Sequence, residues 1–358
     1  MIYQRYFIRQ ILKSAAAVFV IAVIIFASDC AINYLAEAIA GLLPPPMVGF
    51  LILLRVGIAL EVILPVTFFL AVILALGRLY KDSEMTAFSA CGIGMRHVLR
   101  LVLVLSLPVA LSAACASLYF RPHAWQKIYR VEDEAQNQFD ISRLYPNAFL
   151  KIQSGKVVFF AEEVDDSENR AQKVFVHIAD GESRHVIRAQ QMIQAEPNAN
   201  GLRVLIFHHG SMYELPSKGE PGKITRFDQA QYTLPSEHPS NPRYRRKATP
   251  TEQLVGSSRL QDITELQWRL SAPLSTILLG LLGVPLSKSN PRRGKFAKVG
   301  LAIVIFAVYF QLFVIARTWV DKAVVSPWPG IWWVPALLIG LTIVLLWRTE
   351  EVFYRRIK

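Results

Sequence analysis

Near-continuous apolar runs occupy residues 15–35, 47–76, 98–118, 270–286, 299–315 and 331–347. A run of about 17 to 25 apolar residues is what a helix needs to cross the hydrocarbon of a bilayer. In lipid the backbone must satisfy its own hydrogen bonds, so each such segment has to be helical. The expectation is six transmembrane helices, three at each end of the chain. The three shortest runs stand close to the lower limit for a span. From Arg121 to about Glu265 there is no such run, and that stretch belongs in water. Composition agrees: 53% of residues are hydrophobic and only 18% charged, which excludes an ordinary soluble globule. With 20 Phe, 12 Tyr and 7 Trp the chain also carries too much apolar surface to be disordered.

The net charge of +12 comes from outside the insert. Residues 121–266 hold 19 Lys and Arg and 19 Asp and Glu, which cancel, leaving 20 basic and 8 acidic residues for the membrane portions. The basic excess lies beside membrane segments and not on one soluble face, so nucleic acid is not an expected partner. Arg5, Arg9 and Lys13 precede the first helix; Arg78, Lys81, Arg96 and Arg100 separate the second and third. Lys288, Arg292, Arg293, Lys295 and Lys298 separate the fourth and fifth, and Arg348, Arg355, Arg356 and Lys358 close the chain. The opposite loops carry none from Glu37 to Met47 and only Arg317 and Lys322 between helices five and six. Cytoplasmic loops are the basic ones, which places both termini in the cytoplasm and the insert outside. Ala38-Ile39-Ala40 imitates a signal-peptidase site. The apolar core before it exceeds the about 7 to 15 residues of a signal, so a retained helix is expected.

The insert reads as β-structure, with strands over 148–153, 156–164, 173–179, 185–195, 202–215 and 225–234. Turn signals at Gln153-Ser154-Gly155, Asp180-Gly181 and Asn198-Ala199-Asn200-Gly201 divide it. The pattern is that of an antiparallel sandwich or jelly roll. Val174, Val176 and Ile178 share one face, while Phe175, His177 and Ala179 share the other. Two partly apolar faces fit a packed core, a groove for acyl chains, or edge-to-edge docking with another such module. Residues 121–144 extend the third helix outward, and Pro235 to Thr251, with Pro239, Pro242, Pro250 and the basic run Arg243, Arg245, Arg246 and Lys247, form a solvated tether.

No catalytic site or metal site is expected. The chain has no GxxxxGK[ST], HExxH or GxSxG motif, and Gly219-Glu220-Pro221-Gly222-Lys223 lacks the phosphate-loop spacing. His208 and His209, adjacent in a strand, face opposite ways and cannot easily share a metal. Cys30, Cys91 and Cys115 fall in or beside membrane segments with no CxxC pair. Ionisable groups in the membrane runs are Asp29, Arg55 and Glu61. Each is costly there and needs a function or a partner. Arg55 and Glu61 are six positions apart, roughly 240° around a helix, so their partners lie on another helix or chain. Pro65, Pro273 and Pro285 permit bends.

On the cytoplasmic side, Ser83-Glu84-Met85-Thr86-Ala87-Phe88 opens a short amphipathic helix within about 80–94, with Ser83 as N-cap and Gly92 or Gly94 as its end. An acidic residue in its first turn, Glu84, suits an Arg on a soluble partner.

These segments resemble the YjgP/YjgQ-type permeases of the lipopolysaccharide export system, the LptF/LptG family. Two motifs carry the resemblance: Leu79-Tyr80 with Ser83-Glu84 and Ala90-Cys91-Gly92, and Val284-Pro285-Leu286-Ser287 with Asn290-Pro291-Arg292 and Gly294. The latter motif is more similar to the LptF branch. The resemblance runs over the whole chain and implies an α-helical membrane protein of six transmembrane helices with an inserted periplasmic all-β jelly roll. The divisions are 1–120 for helices one to three, 121–266 for the insert with its connectors, and 267–358 for helices four to six with the cytoplasmic tail. It implies a noncatalytic subunit of an ATP-driven transporter in the inner membrane of a Gram-negative bacterium, with no cofactor of its own. ATP and Mg would sit on a partner ATPase. The implied partners are a second permease, LptG, the LptB dimer, LptC, LptA, membrane lipids and lipopolysaccharide itself. Ser83, Glu84, Cys91 and Gly92 would form the ATPase-coupling element. Arg55, Arg317 and Lys322 would meet the anionic head group, helices one and five would supply acyl contact, and Phe159, Val176 and Phe207 would line an acyl groove. Relatives often carry basic residues near the outer end of helix one, where this chain has Asp29-Cys30-Ala31-Ile32-Asn33. Without the resemblance, two other readings compete: an intramembrane lipid-modifying enzyme, which needs convergent catalytic groups at one depth, and a membrane-anchored periplasmic assembly module, which needs only one helix.

Overall fold

The computed structural model describes residues 2–39, 43, 45–137, 146–152, 157–165, 170–180, 183–195, 204–216, 222–233, 245–288 and 296–354. Residues 153–155, 181, 198–201, 235–244 and 290–294, which carry several of the turn signals, most of the tether and half of the second motif, lie outside the described residues.

Each of the six apolar runs is helical over most of its length. The helices are α1 (Ile2–Ile39), α2 (Val48–Lys81), α4 (Met95–Ala114), α7 (Leu260–Ser287), α8 (Phe296–Asp321) and α9 (Trp333–Tyr354); the short α3 (Glu84–Ala90) and α6 (Thr251–Val255) lie between them. Among the described residues five helical stretches are long and apolar enough to cross a membrane: Tyr3–Ile39, Pro45–Lys81, Met95–Asp133, Leu260–Ser287 and Lys298–Asp321. The apolar part of α9, Trp333–Arg348, falls short of that length. The expected six spans therefore stand as five, plus one shorter apolar helix. The third span does not stop at its apolar end. A π-helical stretch, Cys115–Phe120, joins α4 to α5 (Arg121–Asn137) without a break. Its wider turn brings Ser117 into the interior.

Contacts divide the chain into a helical unit (1–30, 53–126 and 245–358) and a second unit (31–52 and 127–244). At the centre of the helical unit is α7, which packs against α4, α8 and α9. Its small residues allow close approach to α2: a Cβ on Gly280 would lie 2.4 Å from Phe68 Cε1, and one on Gly283 3.0 Å from Val72 Cγ1. By contrast α1, although Phe7 and Ile11 near its start are buried, keeps most of the apolar residues of its middle outside. Its most apolar window is only 6% buried and that of α8 only 22%, against 61% for α2 and α7. Side chains such as Ile21, Ile24, Ile25 and Val304, all more than half exposed, are stable there only against lipid or another apolar protein surface.

The described residues of the second unit include one antiparallel sheet of seven strands: β1 (Ala148–Ile152), β2 (Val157–Ala161), β3 (Glu163–Asp165), β4 (Arg170–Asp180), β5 (Ser183–Ala195), β6 (Val204–Pro216) and β7 (Lys223–Thr233). Its order is β1-β2-β4-β5-β6-β7, with β3 beside β4. Apart from β2 and β3, which follow one another along the same side of β4, each described strand pairs with its neighbour in sequence, so these strands form a meander and lack the crossed order of a two-Greek-key jelly roll. The short connections explain this, because a hairpin keeps successive strands adjacent.

A bend crosses this sheet. Lys173 and His209 take left-handed backbone angles, φ 50° and 51°. By register Glu162, Lys173, Gln190, His209 and Asp228 lie in one row, and the ladder skips that row between β4 and β7. On either side the buried residues fall an odd number apart: Ala171 and Val174, Ala189 and Met192. An unbent strand places even separations on one face. The left-handed residues act as an inserted residue, which keeps both halves of each long strand facing one common core.

Candidate functional site

The polar centre of the helical unit starts from Glu61, on α2, which is 6% exposed. Its Oε1 accepts from Arg121 Nη1 and from Trp268 Nε1 at 3.2 Å, and its Oε2 accepts from Ser117 Oγ at 3.0 Å. Arg121 Nε also lies 3.2 Å from Glu265 Oε1, on α7. Glu265 has no exposure and holds two further cations: Arg269 Nε at 3.3 Å and Arg317 Nη2, from α8, at 2.6 Å. A buried carboxylate survives only when paired and hydrogen-bonded, and here the pairing joins α2, the α4–α5 rod, α7 and α8.

Arg269 spends its remaining donors on the connector that returns from the sheet. Nη1 donates to Thr251 Oγ1 at 2.8 Å, and Nη2 to the carbonyl oxygens of Arg246, Lys247 and Thr249 at 3.4, 3.3 and 3.0 Å. Thr251 in turn donates to the Leu118 carbonyl at 2.5 Å, and Arg246 reaches both oxygens of Asp321 at 2.8 Å. The expected tether is thus fixed over 246–251. Beside it Arg55 and Lys247 lie over the Trp125 ring, 4.4 and 4.7 Å from its centroid. Burial, and then the charges of Arg121, Arg317 and Arg55, hold the Lys247 ammonium below the ordinary lysine value. The groups named carry six cations against three carboxylates, a surplus suited to an anion.

This places the expected head-group residues. Arg55 and Glu61 make separate contacts, as their 240° separation requires. Arg317 is engaged with Glu265 and also lies 4.8 Å over Trp268, while Lys322 is exposed just past the end of α8. Sequence reasoning missed Arg121, Glu265, Arg269 and Thr251. It assigned 121–265 to water, although Glu265 and Arg269 stand at the i, i+4 spacing of an ion pair directly before an apolar run. Among the described residues no group of three His, Cys, Asp or Glu is placed to hold a metal.

The helix expected over about 80–94 is shorter, because Tyr80 and Lys81 end α2 and α3 has seven residues. Ser83 is not a side-chain cap: it takes φ 61°, and its carbonyl accepts from the Thr86 and Ala87 amides instead. Cys91 follows the last helical residue, and Gly92, at φ 83°, makes the left-handed exit that only glycine adopts without strain. Glu84 stands in the first turn and accepts from Tyr6 Oη of α1 at 2.8 Å.

In the sheet, Phe159, Val176 and Phe207 are at most 1% exposed and belong to one filled core with Val174, Ile187, Ala189 and Met192. They line no open groove. The opening, of about 1220 Å³, runs instead along the row Phe160, Phe175, Arg188, Ser211 and Arg226 together with the bent row.

Residues 5–348 match the family described as lipopolysaccharide export system permease LptF/LptG. The chain is 26% identical over 353 residues to the lipopolysaccharide export system permease protein LptF of Escherichia coli strain K12, covering 98% of this chain and 96% of that protein. The same figures hold for the proteins of that name from Escherichia coli O157:H7 and Shigella flexneri.

Proposed function

Since the chain belongs to the LptF/LptG family and is a permease subunit of the lipopolysaccharide export system, we propose that it forms one half of a transmembrane pathway that lifts lipopolysaccharide out of the inner membrane, driven by ATP hydrolysed on a separate ATPase. The observation that carries this is the unburied apolar surface of α1 and α8. In an inner-membrane protein of several spans, that surface is where lipid acyl chains and a second permease, LptG, would meet it.

The head group of the lipid is anionic. Arg55 and Lys247 over the ring of Trp125, with Lys322 nearby in sequence to Arg317, form the cationic rim proposed to receive it. Arg317 serves that rim through its charge, with its donor Nη2 held by Glu265. Contact of acyl chains with Phe159, Val176 and Phe207 requires the two halves of the bent sheet to part, because their core is filled. The proposed topology has both termini cytoplasmic, α9 as a sixth span, and the sheet in the periplasm as a jelly-roll-type module that passes lipid toward LptC and LptA. Ser83, Glu84, Cys91 and Gly92 shape the cytoplasmic element that docks an LptB dimer carrying ATP and Mg. Glu61 is committed to Arg121, Ser117 and Trp268, which speaks against the lipid-enzyme reading, where it would have to be free to move a proton.

The test is purification of the tagged chain in mild detergent from its host, identification of what accompanies it, and ATP-dependent release of lipopolysaccharide from proteoliposomes. Recovery of a second permease and an ATPase with release on ATP addition is expected. A clean monomer with neither would return the enzyme and anchor readings.

A further inference from the structure

The carboxylate assigned to ATPase docking is not left to solvent. Tyr6, in the first turns of α1 and 78 positions earlier in the chain, donates its hydroxyl to Glu84 Oε2 at 2.8 Å. The surroundings fix both groups. Phe7 is 1% exposed and Met85 3% exposed in one apolar cluster. The Phe88 ring lies 5.2 Å from that of Phe7 and 6.4 Å from that of Tyr6. A helix of seven residues has too few internal hydrogen bonds to hold its own direction, so α3 takes its orientation from this aromatic seat on α1. Glu84 is the residue it presents, and Oε1 makes no hydrogen bond among the described residues.

We propose that Tyr6 is a positioning residue for ATPase docking: its hydroxyl holds Glu84 Oε2 so that Oε1 is presented, with its rotamer already chosen, to an arginine or lysine of the ATPase. The proposal rests on the docking reading of Glu84. Choosing the rotamer in advance removes an ordering cost from the binding step. The same contact makes the first turns of α1 part of the coupling device, so a push on α3 is felt at Tyr6 and Phe7.

A double-mutant cycle on the intact permease complex tests this. The dissociation constant of the ATPase that co-purifies with the wild-type permease is measured for wild type, Tyr6→Phe, Glu84→Gln and the double variant, with melting temperature as a control. Phenylalanine keeps the ring in its seat and removes only the hydroxyl. Tyr6→Phe is expected to weaken binding about threefold to tenfold at an unchanged melting temperature. In the Glu84→Gln background the same change is expected to do nothing more, because there is no carboxylate left to position. Unchanged binding in Tyr6→Phe, or equal losses in both backgrounds, overturns the positioning role while leaving the docking role of Glu84 standing. Unchanged binding in Glu84→Gln itself overturns both.

Discussion

Arg269 and Glu265 stand one turn apart on α7, with Nε 3.3 Å from Oε1 and neither side chain exposed. The guanidinium belongs to the largest wholly buried side chain among the described residues, and Glu265 is the carboxylate that pairs with it. Arg121 and Arg317 share that carboxylate. Neutralising Glu265 therefore takes the carboxylate from Arg269 and Arg317 and leaves Arg121 with Glu61 alone. Glu265→Gln is expected to cost about 3 to 5 kcal/mol, the range for breaking a buried pair on one side. Glu61→Gln should cost less, since the amide oxygen still accepts from Trp268 and the amide nitrogen can donate to the Ser117 hydroxyl. Thermal melts in detergent check the order, and a Glu265→Gln protein as stable as wild type would remove the network from any structural role.

Docking makes a separate demand. Glu84→Arg reverses the charge at the start of α3, at a half-buried position outside the apolar seat. The protein should fold with an unchanged melting temperature and lose the ATPase on purification, a fall in affinity of at least about tenfold, as for a lost charged hydrogen bond. A normal permease-to-ATPase ratio after size exclusion would refute the docking assignment.

Lys247 and Lys173 should titrate in opposite directions from an ordinary lysine. Burial, then Arg121, Arg317 and Arg55, disfavour the Lys247 ammonium, while hydrogen bonding and charge from Glu162 favour that of the exposed Lys173. As pH rises Lys247 loses its charge first, and any phosphate affinity it supplies weakens before that of other lysines. The sign for stability is the reverse: with its folded value below the unfolded one, Lys247 burdens the fold least at alkaline pH, and stability rises through the window just below the ordinary lysine value. Titration of ¹³C-dimethylated lysines by NMR resolves the two, and a Lys247 midpoint at or above that of Lys173 would contradict the burial described.

Close packing of α7 on α2 sets a steric limit. A Cβ at Gly280 meets the Phe68 ring at 2.4 Å, so Gly280→Val must push that ring aside. A loss of about 1 to 3 kcal/mol is expected, as for other overpacked cores. Gly300, with nothing within 4 Å, should accept alanine without loss of stability. Equal melting temperatures for Gly280→Val and Gly300→Ala would show that the two helices are not seated as described.

The spans and strands were legible because each rests on a local pattern: apolar length for the helices, alternation and turn residues for the strands. The cluster was not, for a physical reason. Arg121 follows the apolar run of α4 at once, so it reads as the first residue in water. Only the continuous π-turn and α5 carry it back among helices. Arg269 reads as a flanking cation until Arg246 to Thr251, 18 to 23 positions earlier, fold onto it. The bend in the sheet left a trace that alternation alone overlooked. Ala171 and Val174 are three apart, and so are Ala189 and Met192, and such matched slips in neighbouring strands mark a shared fold line. The filled core behind Phe159, by contrast, has the same sequence pattern as an open groove, because alternation reports which side a residue faces and not what covers it.

That ambiguity has a direct test. With a photo-reactive residue at Phe159, Val176 or Phe207, lipid capture requires the core to open, because each is at most 1% exposed. At Phe149, 66% exposed and 4.9 Å from Phe160 at the open groove, capture requires no opening. If the core is the transit route, cross-links at Phe159, Val176 and Phe207 should form only when ATP is being hydrolysed, whereas those at Phe149 should be independent of ATP. If lipid passes along the open groove instead, only Phe149 should label under any condition. Labelling of the three core positions without ATP would mean that the sheet opens spontaneously, and its filled state would then be one member of a fast equilibrium instead of a gate.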